Sequence, residues 1–132
     1  MRWLVTGLFA LWAPMAAADG MKLPSGLTAW PFEFLWEDHP EAGDKGEVWL
    51  VLRFIAPEIA RNGGRFGFDD VAPDIDHICE TLGLPLVVQT GAGIDQILVT
   101  ILDQALARGV RNPDVTQYMS AYRVEEGACI WE

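Results

Sequence analysis

Arg123-Val124-Glu125-Glu126-Gly127-Ala128-Cys129-Ile130-Trp131-Glu132 carries one of the two cysteines in the sequence. A terminal segment frays unless something holds it. Here Cys129 has one partner to find, Cys79, which sits inside the strongest helical pattern of the chain. Tyr122 to Val124 and Ala128 to Trp131 read as a hairpin around Glu125-Glu126-Gly127, and most of what precedes them reads as strands. A bond between the hairpin and the helix would hold those strands closed. The expected fold is therefore α+β: a small single domain with an antiparallel sheet, one main helix over about 70–82, a second short helix over about 113–120, and one disulfide.

The helix pattern comes from Val71, Ile75, Ile78 and Leu82, whose spacings of four, three and four build one apolar face. Asp69-Asp70 stands where an N-cap belongs, with Pro73 close behind, and Gly83 and Pro85 read as a stop signal. Cys79 lies at the margin of the apolar face, turned toward the sheet, and His77 on the solvent side. Upstream, Trp30, Phe32, Phe34 and Trp36 alternate, which places them on one face of a strand. That stripe reads as core packing, with an apolar ligand groove as the alternative. The segment 37–46 is polar and rich in turn formers, so it reads as a loop. From Glu47 to Ile55 both faces are apolar with Arg53 as the only interior charge, the pattern of a strand covered on both sides and paired antiparallel with the aromatic one. Leu86 to Gln89 and Ile97 to Leu102 read as two further strands. Over 113–122, Val115, Tyr118, Met119 and Tyr122 keep helical spacing among strand-forming residues.

The first residues have the layout of a cleavable secretory signal. Met1-Arg2 is followed by an apolar run from Trp3 to Met15 and by Ala16-Ala17-Ala18, so the cut is expected after Ala18. The run is shorter than the roughly 20 apolar residues that span a bilayer, so no stable membrane insertion is expected after cleavage. Residues 19–26 would form a flexible leader and 27–132 the domain, with the periplasm as its location. Over residues 19–132 nineteen acidic side chains face eight basic ones. Such acidity excludes nucleic acid as a partner, because affinity for it comes largely from Lys and Arg on phosphates. In an exported chain two cysteines mean one structural disulfide, and the Cys79–Cys129 loop is worth roughly 4 kcal/mol of chain entropy.

Specific chemistry is sparse. Asp69, Asp70, Asp74, Asp76, His77 and Glu80 gather acids and one imidazole within a dozen residues, but the spacing matches neither an EF-hand loop nor a zinc site. Helix capping and a solvated face account for them. His39, flanked by Glu37, Asp38 and Glu41, could serve as a general base and otherwise reads as an exposed loop residue. Thr90-Gly91-Ala92-Gly93 lacks the following helix that would make it a phosphate cradle and reads as a turn. Ser25 and Ser120 are the only serines, and neither sits in Gly-x-Ser-x-Gly. No cofactor, metal ligand set or catalytic residue emerges.

Leu23-Pro24-Ser25-Gly26, Arg53-Phe54-Ile55-Ala56-Pro57-Glu58-Ile59-Ala60, Gln117-Tyr118 through Tyr122-Arg123 and Gly127-Ala128-Cys129-Ile130-Trp131-Glu132 together resemble a family of small exported proteins of unknown function from alphaproteobacteria, chiefly Rhodobacter relatives. Some of those relatives carry an acetolactate synthase name. It does not transfer, because this chain is far too short for that thiamine-diphosphate enzyme and lacks a cofactor motif. The resemblance brings no activity and no site residues with it. Three functional readings follow. The first is a non-catalytic periplasmic protein that binds an unknown protein or small molecule. The second is a small envelope enzyme or metal-binding protein using His77 with Asp74 and Glu80, or His39 with Glu37 and Asp38. The third is a carrier of a small apolar ligand held by Trp30, Phe32, Phe34 and Trp36.

Overall fold

A computed structural model describes residues 19–91 and 93–132, so the expected signal over 1–18 lies outside the described residues. Six strands form one sheet in sequence order: β1 Met21–Lys22, β2 Thr28–His39, β3 Glu47–Ile55, β4 Gln96–Leu102, β5 Gln117–Glu125 and β6 Ala128–Trp131. A helical layer crosses one face of it, comprising α1 Phe68–Ile78, a widened π-type turn over Cys79–Gly83, and α2 Leu84–Thr90. The sheet is mixed: β3 and β4 run parallel and the other pairs antiparallel. The expected all-antiparallel sheet is thereby corrected. The cause is the helical crossover, which returns the chain to the end of the sheet where β3 began, as a parallel neighbour requires.

That crossover is longer than the sequence pattern implies. Gly83 and Pro85 do not stop the helix, and Leu86 to Gln89, expected as a strand, belongs to α2. At the widened turn Leu84 donates its N–H to the Cys79 carbonyl, five residues back. Pro85 has no N–H to place, and the wider turn leaves room for its ring where a regular one would clash. Gly83 keeps helical angles (φ −63°), and a Cβ there would stand 3.1 Å from Ile97 Cδ1. It is a glycine of close helix–sheet approach, not a stop. The helix ends at Gly91, in the left-handed region at φ 66°, whose N–H bonds the Val87 carbonyl. At the other end Gly67 is the N-cap, with its N–H donated to Asp70, and Asp69 and Asp70 fill the first turn.

The second helix expected over 113–120 is also absent: a turn precedes β5, which pairs along its length with β4 from Leu102↔Gln117 to Gln96↔Arg123. Tyr118 and Tyr122 alternate inward there, a period of two that the helical spacing had masked. The terminal hairpin is as expected, turning through Glu126 and Gly127, both at positive φ. The leader expected over 19–26 is instead held. Met21 and Lys22 pair with Ala29 and Thr28, Leu23 is buried, and Ser25 is bonded to the helix.

The core lies between the helical layer and one sheet face. Val71, Ile75, Ile78 and Cys79 pack on Leu50, Leu52, Phe54, Ile97, Val99, Ile101 and Tyr122, all buried. Cys79 and Cys129 form the disulfide, with Cα atoms 6.4 Å apart, and so join the helical layer to the edge strand β6. Among the described residues no helix is long and apolar enough to cross a membrane.

Candidate binding face of the sheet

The sheet face away from the helices is built from the alternate residues of the same strands, and it is covered as well. Val51, Leu98 and Leu102 are buried there without a helix above them. Their cover is residues 103–116, a stretch with no regular structure whose ends meet, Asp103 donating its N–H to the Thr116 carbonyl and Thr116 returning its own to Asp103 Oδ1 at 2.8 Å. A loop of this length inside a compact domain is generally functional. Arg53 pins it. Its side chain is 3% exposed, ion-paired with Glu33, and donates to the Leu106 carbonyl at 2.7 Å. Phe32 lies against the guanidinium, 5.4 Å from ring centre to Cζ.

A polar row crosses this face at one end. Glu37, Trp49, Gln96 and Arg123 are neighbours in register across β2, β3, β4 and β5, so their side chains share one side. Arg108 grips Glu37 with two N–H groups at 2.8 and 3.0 Å. His39 bonds Glu37 and Glu41, each at 2.9 Å, and stacks on the Trp49 ring at 3.5 Å. Glu47 accepts from the Trp49 indole and Gln96 amide, both at 2.9 Å, and from Arg123 at 2.6 Å. The Arg108 guanidinium, then His39, hold the Glu37 carboxyl down to about 2. The indole of Trp49, then Gln96 and Arg123, do the same for Glu47, also to about 2. Hydrogen bonds to Glu37, then Glu41, raise His39 above its ordinary value.

The sequence-predicted residues divide between this face and others. His39 stands at the end of β2 rather than in an exposed loop, and of its neighbouring carboxylates Glu37 and Glu41 are bonded to it, Glu37 also to Arg108. The alternative cluster of Asp74, His77 and Glu80 is not gathered by any bond among the described residues. Asp74 is buried and both its oxygens are taken by Ser25, from the backbone N–H at 2.9 Å and the hydroxyl at 2.5 Å. Glu80 is exposed beside an apolar groove lined by Leu84, Val88 and Val124. Among the described residues no three His, Cys, Asp or Glu side chains are grouped to hold a metal ion.

The aromatic stripe is where the sequence reading differs most. Register shifts by one between Pro31 and Glu33, a β-bulge at Phe32. Trp30 pairs with Ile55 and Phe34 with Leu52, so Trp30 shares the face of Arg53 while Phe34 and Trp36 share the face of the helices. Neither half is core. Trp30, Phe32, Phe34 and Trp36 are 43, 37, 41 and 49% exposed, because the helical layer stops short of β2 and β1 pairs only with Thr28 and Ala29. The third reading, of rings lining one cavity, loses its geometry at the bulge. Sequence reasoning also missed the Glu37–Arg108 pair, whose members are 71 residues apart.

A protein-family model described as a family of unknown function, DUF6497, matches residues 8–132. The chain belongs to that family. No curated protein and no solved structure matches it. The functional argument for this DUF6497 member therefore rests on its own side chains.

Proposed function

We propose that this is an exported, non-catalytic protein that acts in the periplasm, after removal of residues 1–18, by taking up an extended basic segment of a partner protein along the open edge of β2. The observation that carries the reading is the exposure of the β2 aromatics on a strand that, among the described residues, has a partner on one side only beyond Ala29. An unpaired strand edge is a row of backbone donors and acceptors ready to be extended. Pro31 and the bulge interrupt its first part, which leaves Phe34 to His39 as the straight edge. There Phe34, Trp36 and Asp38 point to one side, so an incoming strand would set apolar residues on the two rings and a Lys or Arg on Asp38. A second copy of this chain is a poor occupant, since over residues 19–132 each sets nineteen acidic side chains against eight basic ones. Export is supported by the disulfide, which persists in oxidising compartments, and by the signal-like start.

The test uses a synthetic peptide alternating lysine and valine. It is expected to blue-shift tryptophan emission and to slow amide exchange at Phe34 to Asp38, with affinity falling as salt rises. Unchanged exchange along β2, or equal binding by the Phe34→Lys/Trp36→Lys variant, sinks the reading. So does self-association through β2 in sedimentation at low salt.

A further inference from the structure

Between the 103–116 loop and the outer sheet face lies a hollow of about 350 Å³. Its walls include Arg53, Arg108 and Arg111, three of the eight basic residues in 19–132. In so acidic a chain this concentration is local and specific. Arg53 uses two of the five N–H donors of a guanidinium, on Glu33 and the Leu106 carbonyl, and Arg108 uses two on Glu37. Arg111 has no carboxylate partner among the described residues. Three guanidiniums against Glu33 and Glu37 leave the hollow with one uncompensated positive charge. A second observation points the same way. Thr100, 2% exposed and lining the hollow, has a buried hydroxyl without a hydrogen-bond partner among the described residues, an arrangement that is rare and costly unless something else engages it. Met119, the register partner of Thr100 on β5, and Val110 of the loop add apolar surface to the lining.

We propose that this hollow binds a small organic monocarboxylate, its charged end among Arg53, Arg108, Arg111 and the Thr100 hydroxyl and its apolar body against Val110 and Met119. The single uncompensated charge suits a monoanion. The apolar wall favours a carboxylate with a short hydrocarbon tail over inorganic phosphate, whose whole surface is polar. The site is independent of the strand edge at Phe34 to His39, and either can fail alone.

The test is titration of the disulfide-bonded protein with sodium butyrate and, at matched ionic strength, with inorganic phosphate. The Met119 methyl resonance and the melting temperature are followed together. Butyrate is expected to move the Met119 signal saturably and to raise the melting temperature, and phosphate to do neither. Arg111→Gln and Thr100→Val are each expected to weaken butyrate about tenfold or more, the loss of one hydrogen bond to a charged group. Thr100→Val without ligand is expected to melt no lower than the parent, because its hydroxyl holds nothing in the protein. A non-saturable response, equal binding by Arg111→Gln, or phosphate binding as tightly as butyrate overturns the assignment. A lower ligand-free melting temperature in Thr100→Val overturns it too, by giving the hydroxyl a structural partner.

Discussion

Removing the disulfide should uncouple β6 from the rest of the molecule and cost a large part of its stability. Cys79 and Cys129 are 50 residues apart in sequence. Closing a loop of that size in the unfolded chain is worth about 4 kcal/mol at room temperature, against a total of about 5–15 kcal/mol for an ordinary domain. With about 4 °C per kcal/mol for a domain a little over 100 residues, the melting temperature should fall by roughly 15 °C. The bond also has a local role. It anchors a strand of only four residues, Ala128–Trp131, paired on one side to Tyr122–Glu125. The assay is thermal unfolding followed by circular dichroism for three forms: oxidised, reduced, and Cys79→Ala/Cys129→Ala. The reduced form isolates the cross-link, since the variant also removes a buried sulfur from the core beside Ile75 and Ile78. Amide exchange at Ala128 to Trp131 should accelerate well before the central strands open. A drop under about 4 °C, equivalent to about 1 kcal/mol, would refute the chain-entropy reasoning. Unchanged exchange in β6 would refute the anchoring.

Stability should form a plateau in pH with a fall on each side. Glu37 and Glu47, lowered from 4.5 to about 2, contribute above pH 4.5 and lose that contribution as pH falls toward 2. His39, raised above 6.5, contributes fully below that value and loses it as pH climbs through the raised one. Urea midpoints at acid, mildly acid and alkaline pH measure both limbs, and His39→Gln should flatten the alkaline limb and shrink the acid one only in part, since Arg108 still holds Glu37 and Glu47 is untouched; an unchanged alkaline limb contradicts the assignment. Asp74→Ala strips the partner from the Ser25 N–H and hydroxyl, so a loss of about 2 kcal/mol is expected, with fast exchange confined to residues 20–27. Uniform loosening of the whole sheet would show that Asp74 does not act through that contact.

What the sequence carries, it carries where a pattern is local. The β2–β3 hairpin, the doubly covered β3 and the terminal turn follow from alternation and turn chemistry within a few residues. The longer helix escapes such reading because its signals point the wrong way on their own. Gly83 and Pro85 form a stop pair by type, yet one is a packing glycine against Ile97 and the other is accommodated by a widened turn. Reading them correctly needs β4 already in place. The parallel β3–β4 pairing follows from that helix, so the two errors are one. At 113–122 helical and strand periods both fit, and the choice falls to β4, which offers a strand a full ladder and a helix nothing.

The outer face was legible only in fragments, and the reason bears on function. Arg53 announced itself as the lone charge in an apolar strand. Its meaning depends on Glu33, Leu106 and Phe32, which the fold delivers from β2 and from the 103–116 loop. The aromatic stripe misled because alternation assumes an unbroken pleat, and one extra residue at Phe32 sends its two halves to opposite sides. Buried aromatics would have needed no explanation. Exposed ones, on an edge that no described residue covers past Ala29, bring a solubility risk for which the proposed uptake of a peptide strand would account. The acidic surroundings fit that use, since they repel a second copy and admit a basic strand. The basic hollow under the loop lies on the outer sheet face, opposite the face to which Phe34 and Trp36 belong. Arg53 holds Glu33 and the Leu106 carbonyl but no residue of the Phe34 to His39 edge, so an Arg53→Met variant should cost butyrate binding in the hollow and leave peptide uptake along that edge unchanged.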